Sequence, residues 1–155
     1  MPRVLFTREL ELLQEQILTL GSMVSQALRE SVIALRDRDA VAAHALIHGD
    51  TEINRKRYEI EGDCLRVMAT QQPMARDLRL LASILEITTE LERIGDYAKG
   101  IGKIILLLGP EPLMKPLVDI PLMCEQVLAM LGRALDAFIR QDADAARAIA
   151  AEDDL

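Results

Sequence analysis

Glu92 and Asp96 are the two side chains of this sequence best spaced to do chemistry. They lie four positions apart, one turn of a helix, so their carboxylates project side by side. Like charges so placed repel unless a cation sits between them, and hard carboxylate oxygens suit Mg²⁺, Mn²⁺, Ca²⁺ or iron. A plainer reading stands beside that one: a solvated acidic face with Arg93 or Lys99 as partner. Arg93 can clamp a carboxylate or an anionic group of a partner, or form an ordinary surface ion pair three or four residues away. Asp77 falls on the apolar side of the same expected helix by its spacing from Leu81. It reads first as a first-turn acid that favours the helix dipole, and only second as a supporting metal ligand.

Other candidates are weaker. His44 and His48 are one turn apart and have the side chains to bind a metal or accept a phosphoryl group. No acidic residue follows His44, so both read as surface histidines. Arg55-Lys56-Arg57 offers a basic stretch for phosphate or an acidic partner, but reads more simply as a solvated helix face. No Gly-rich phosphate loop, G-x-S-x-G or H-E-x-x-H is present, and neither histidine has a Glu three residues before it. Catalysis is therefore not expected.

The elements that must position these residues are helices. Leu10, Leu13, Ile17, Leu20, Val24, Ala27, Ser31 and Leu35 step by three or four and form one stripe. Asp37-Arg38-Asp39 ends that helix, with Asp39 as N-cap of the next. The second helix carries Ala42, Leu46, Ile53, Ile60, Cys64 and Val67 on its inner side, with Gly49-Asp50 as a point of weakness or bending. Gln71-Gln72-Pro73 breaks it, and Pro73 is suited to begin the third. The third helix is expected from Ala75 to Leu107, with Leu81, Leu85, Thr88, Leu91, Gly95, Ala98, Gly102 and Ile105 inward. Its small residues let a neighbouring backbone come close. Three long helices with short connections predict an antiparallel bundle.

The stretch GPEPLMKP, residues 109–116, holds three prolines and reads as a linker. A fourth helix is expected over 117–140 and a fifth after Gln141-Asp142. This second part repeats the first at an offset of 103: ALRDRDAVAAHALIHGD at 34–50 matches AFIRQDADAARAIAAED at 137–153. Ala34 meets Ala137, Asp39 meets Asp142, Ala43 meets Ala146 and Asp50 meets Asp153. The expected organisation is a complete three-helix bundle over 1–108, the linker, and a partial second repeat of two helices over 117–155. An uncovered stripe on the second repeat predicts docking or self-association.

Composition bounds the function. The 155 residues hold 25 acids against 18 bases, a net charge of −7, with 3% aromatics. That balance argues against a nucleic-acid binder, which needs a cationic surplus and stacking platforms. Cys64 and Cys124 are sixty residues apart, form no C-x-x-C, and read as buried thiols in a reducing compartment. The N-terminus meets charged residues too early for a signal peptide, and the longest apolar run is Ile104–Leu108. A soluble intracellular protein, touching a membrane only through partners, is the expectation.

The run ELERIGD at 90–96, with RDLR at 76–79 after a Q-x-P break, resembles the PhoU family of phosphate-uptake regulators. That resemblance implies two three-helix repeats, each with an E(D)-x-x-x-D motif on its third helix, here Glu92 and Asp96. It implies a cytoplasmic, non-enzymatic regulator that binds metal, with iron, zinc or magnesium as the candidates. It implies that the chain couples the ATPase subunit of a phosphate-specific ABC transporter to a membrane phosphate-sensing histidine kinase, restrains starvation signalling, and forms homo-oligomers. A second motif would fall beyond Leu155, so the expectation is a chain truncated in its second repeat, with one metal site. The alternatives from other classes are a phosphotransfer or dimerisation module with His44 as acceptor, and a metal-dependent enzyme using Glu92 and Asp96.

Overall fold

A computed structural model of the chain describes residues 2–153. Five helices follow in order: α1 (Pro2–Asp37), α2 (Ala40–Gln71), α3 (Ala75–Leu108), α4 (Asp119–Arg140) and α5 (Ala143–Glu152). The all-α class is as expected. The chain divides into two compact units, Met1–Gly109 and Pro110–Leu155. In the first, α1, α2 and α3 pack pairwise as a bundle; in the second, α4 packs on α5.

The bundle core is the 3–4 stripe of each helix. Ile17, Leu20 and Val24 on α1, Ile60, Cys64 and Val67 on α2, and Leu81, Ile84 and Leu91 on α3 are its buried side chains. A smaller cluster at one end joins Ala34, Ala43, Leu46 and Ile105. The buried position on α2 is Ala43 rather than Ala42, and on α3 Ile84 is more deeply buried than Leu85. Two buried hydroxyls are satisfied by their own helices: Thr88 donates to the Ile84 carbonyl at 2.7 Å and Ser31 to the Leu28 carbonyl at 2.7 Å. Among the described methionines, Met23, Met68 and Met130 are half-buried.

Some boundaries differ from expectation. α2 runs unbroken through Gly49-Asp50, because every i→i−4 bond can form around a glycine that costs only propensity. α3 begins at Ala75, leaving Pro73 and Met74 outside the helix, and extends to Leu108, where Gly109 takes a φ of +63°. α4 starts at Asp119 rather than at 117, which puts Pro121 in the first turn, where a missing N–H costs nothing.

The α1–α2 and α4–α5 corners are alike bond for bond. Arg38 has φ +57° and Gln141 φ +55°. Asp39 N–H donates to the Ala34 carbonyl at 3.0 Å, and Asp142 N–H to the Ala137 carbonyl at 2.9 Å. The Asp39 carboxylate accepts from Ala42 N–H at 3.0 Å, and that of Asp142 from Ala145 N–H at 2.9 Å. Each equivalent atom is 103 residues along.

Candidate functional site

A charged seam runs along the α2–α3 contact. On α2 it holds Asp50, Asn54, Arg57 and Glu61, spaced four, three and four; on α3 it holds Glu92, Asp96 and Lys99, spaced four and three. Each set is one helical stripe, and the antiparallel packing sets the two side by side.

Two glycines bring the backbones close enough to bury the seam. A Cβ at Gly95 would lie 3.1 Å from two carbons of Ile53, and one at Gly102 would lie 3.1 Å from the Ala43 carbonyl oxygen. Any larger residue there would hold the helices apart. As a result Asp50 is only 4% exposed and Glu92 8%.

Buried charges need partners. Lys99 Nζ lies 2.6 Å from Asp50 Oδ2, and Asn54 Nδ2 donates to the same oxygen at 3.1 Å. Asp50 Oδ1 is buried with no hydrogen-bond partner. Arg57 Nε donates to Glu61 at 2.8 Å, while its Nη1 stands 3.5 Å from Glu92 Oε2. The Arg57 guanidinium also sits 5.4 Å from the centre of the Tyr58 ring.

The electrostatics follow from these distances. Burial raises the Glu92 carboxyl above its ordinary range, Asp96 raises it further, and Arg57 opposes both. The bond to Asp50 raises the Lys99 ammonium, with Asp96 and Glu92 adding to the effect. Glu61, more than Glu92, holds Arg57 in its charged form.

Glu92 and Asp96 are thus near enough to feel each other, Glu92 buried against α2 and Asp96 exposed one turn on. Neither takes the partner foreseen from spacing. Lys99 turns to Asp50, and Arg93 turns outward, its Nη1 3.0 Å from both oxygens of Glu90. Asp77 is half-buried in the first turn of α3, fifteen positions before Glu92, which is about 22 Å along a helix axis. It is not brought to the seam. His44 and His48 are exposed on α2, with His48 Nδ1 2.8 Å from the His44 carbonyl.

Asp50 and Asn54 were missed as site residues, and Arg57 was read only as part of a basic helix face. Their signal was present: an acid and an amide four apart interrupt the apolar stripe between Leu46 and Ile60.

The donor chemistry of the seam fits a hard cation, since Asp50, Glu92 and Asp96 offer carboxylate oxygens and one of them is a buried orphan. The side chains, however, are closed on Lys99 and Arg57. Among the described residues no three His, Cys, Asp or Glu side chains are grouped to hold a metal ion.

Comparison with known proteins completes the description. The model of the PhoU domain family matches residues 17–105. A phosphate-specific transport system accessory protein PhoU homolog of Aquifex aeolicus (strain VF5) is 36% identical over 147 residues, covering 95% of this chain and 66% of its own. The phosphate-specific transport system accessory protein PhoU of Escherichia coli (strain K12) is 37% identical over 148 residues, covering 96% and 61%. The chain therefore spans roughly two-thirds or less of the length of these curated relatives. The crystal structure of the phosphate transport system regulatory protein PhoU from Streptococcus pneumoniae aligns with a TM-score of 0.88 at 34% identity, over 96% of this chain and 70% of that one. PhoU from Pseudomonas aeruginosa aligns at 0.85 and 36% identity, over 96% and 72%.

Proposed function

The chain belongs to the PhoU family, and from that premise we propose that it is a non-enzymatic accessory regulator of phosphate-specific transport. It restrains phosphate uptake and phosphate-starvation signalling by docking on other proteins. One observation supports this above all: the residues matched by the family model, 17–105, are the three-helix unit whose α2–α3 seam carries Glu92 and Asp96. Among the described residues no helix is long and apolar enough to cross a membrane. Contact with one is therefore assigned to partners: the transporter's ATPase subunit and a membrane phosphate-sensing histidine kinase. The chain acts on the cytoplasmic side and as a homo-oligomer. The second unit is read as the start of a second repeat, on the strength of the shared corner geometry.

Glu92 and Asp96 are the residues that would hold a divalent or trivalent cation, with iron, zinc and magnesium as candidates. A cation held there would supply positive charge to these two adjacent carboxylates. On the facing helix Asp50 is held by Lys99 and the Asn54 amide. Ile53 against Gly95 keeps α2 and α3 close at this level. Arg93, exposed beside the seam, is the residue proposed to meet an anionic group of the partner. Asp77 lies too far along α3 to share this ion and is left its helix-dipole role.

The test uses a bacterial host lacking its own PhoU and carrying a phosphate-starvation reporter. Expression of this chain should repress the reporter in phosphate-rich medium, and Glu92→Ala with Asp96→Ala should relieve that repression. An unrepressed reporter with abundant folded chain would reject the regulatory reading. Elemental analysis of protein purified without chelator tests the metal separately: equal metal in the double variant and the parent would reject the site.

A further inference from the structure

One apolar stripe of α4 has a spacing and a size order of its own. Ile120, Met123, Val127, Met130, Ala134 and Ala137 recur at alternating steps of three and four. That is the repeat by which one helix winds against another along a seam. At the offset of 103 these positions answer to Ile17, Leu20, Val24, Ala27, Ser31 and Ala34 of α1. There Ile17, Leu20 and Val24 are 0% exposed, whereas Ile120 is 40%, Met123 60% and Val127 44% exposed. Within the second unit α4 packs on α5. Since α5 has 10 residues against the 22 of α4, it covers only the end of the seam next to the corner, where Ala137 is buried.

We propose that this seam is closed by the same seam of a second copy of the chain, α4 against α4 in antiparallel sense, so that two α4–α5 hairpins form a four-helix bundle. This names the surface for the homo-oligomer proposed above and rests on that reading.

The occupant follows from the order of the residues. The seam is bulky at the start of α4 and small at its end. Turned end for end about a twofold axis it becomes its own complement: Ile120 of one copy meets Ala137 of the other, Met123 meets Ala134, and Val127 meets Met130. A parallel pair would stack large on large at one end and leave a gap between alanines at the other. The charges agree. Asp119 and Arg140 are three heptads apart, on one flank of the seam at opposite ends of α4. Asp119 is exposed, and Arg140 is exposed and paired with Asp136 one turn back. The antiparallel pair sets the acid of each copy beside the arginine of the other, whereas a parallel pair gathers both acids at one end and both arginines at the other.

The full chain is the sample. Sedimentation equilibrium across micromolar concentrations should give a dimer. Val127→Glu should weaken it at least about tenfold, since an unpaired carboxylate would be buried at the middle of the seam. Val127 is exposed in the single chain, so this variant should keep the helical circular dichroism of the parent. Leu65→Glu, at an exposed position of α2, should leave the dimer unchanged. The sense of pairing is read by oxidation: Val127→Cys mixed with Met130→Cys should give the mixed disulfide beyond its random share, both native cysteines being buried. A dimer that Val127→Glu leaves intact spares self-association and overturns this surface. A parent that stays monomeric overturns both and leaves the face to a helix of a different protein. Disulfides joining Val127→Cys to itself in excess of the mixed product overturn the antiparallel sense. Should Val127→Glu not fold, the oxidation decides alone, and no disulfide between chains overturns the proposal.

Discussion

Gly102→Ala and Gly49→Ala are the same chemical change on two neighbouring helices, and the structure requires opposite outcomes. Each gains about 1 kcal/mol of helix propensity. At Gly49 the new methyl meets nothing within 4 Å, so that gain stands. At Gly102 it would lie 3.1 Å from the Ala43 carbonyl oxygen and 3.4 Å from Ile47 Cγ1. A carbonyl within a helix cannot rotate aside, so α2 itself must move outward by a few tenths of an ångström. Overpacking of that kind costs roughly 1–3 kcal/mol, which leaves Gly102→Ala between neutral and about 2 kcal/mol destabilised. The two variants should therefore differ by about 1–3 kcal/mol, at roughly 4 °C of Tm per kcal/mol for a unit of this size. Thermal melts followed by circular dichroism, with urea titrations for the free energy, measure this, and Gly62→Ala serves as a second open-site control. Gly102→Ala should also weaken Mn²⁺ binding, because the seam opens with the helices. If Gly102→Ala raised Tm as much as Gly49→Ala, close approach at Gly102 would not set the α2–α3 distance, and the burial of Asp50 and Glu92 would need another cause.

Two further outcomes follow from the same geometry. The Glu92 carboxyl is raised, so its protonated form favours the folded state. That contribution is complete below the ordinary value of 4.5 and is lost as pH rises through the higher folded value. Glu92→Gln, neutral throughout, should gain stability over the metal-free parent above that range and show no advantage at more acid pH, as denaturant titrations across pH will reveal. Asp39→Ala removes the carboxylate that accepts from Ala42 N–H and should cost about 1 kcal/mol in the unfolding of the first unit, while Asn at the same position should be nearly neutral.

The bundle was legible because its burial follows a period. Leu13, Ile17, Leu20 and Val24 recur at helical spacing and are buried where that spacing puts them. The corners were legible because Asp39 and Asp142 are strong N-caps, and their side-chain bonds are the ones such caps make. Helix starts near proline were less so. Pro73 suits a first turn, yet Ala75 opens α3, and Pro121 fixes α4 two residues late, since local chemistry allows several starts and packing chooses one. At the seam, the pairing of Glu92 with Asp96 needed only one helix and could be read from spacing. The partners needed two. Lys99 is three residues from Asp96 and forty-nine from Asp50, and only the antiparallel register of α2 on α3 brings it to the second. For the same reason Arg57 rather than Arg93 faces Glu92.

A bundle can close its helices with apolar side chains alone, so the ion pairs of the α2–α3 seam call for a reason other than stability. Burying a pair costs more desolvation than a matched apolar contact, whereas removing one partner leaves an uncompensated charge. The two effects can be separated here. Lys99→Met strands Asp50, which is only 4% exposed, and should destabilise the metal-free chain by roughly 2 kcal/mol, below the range for a fully buried pair because Lys99 is partly hydrated. Asp50→Leu added to Lys99→Met takes away the stranded charge and should recover most of that loss, or exceed the parent. If the charges serve cation binding, the double variant will be stable and unable to bind Mn²⁺. If they serve the fold, the double variant will be the least stable of the three. Urea titration of the three proteins with and without Mn²⁺ distinguishes these cases, because a binding site requires that the ion stabilise the parent and leave the double variant unchanged.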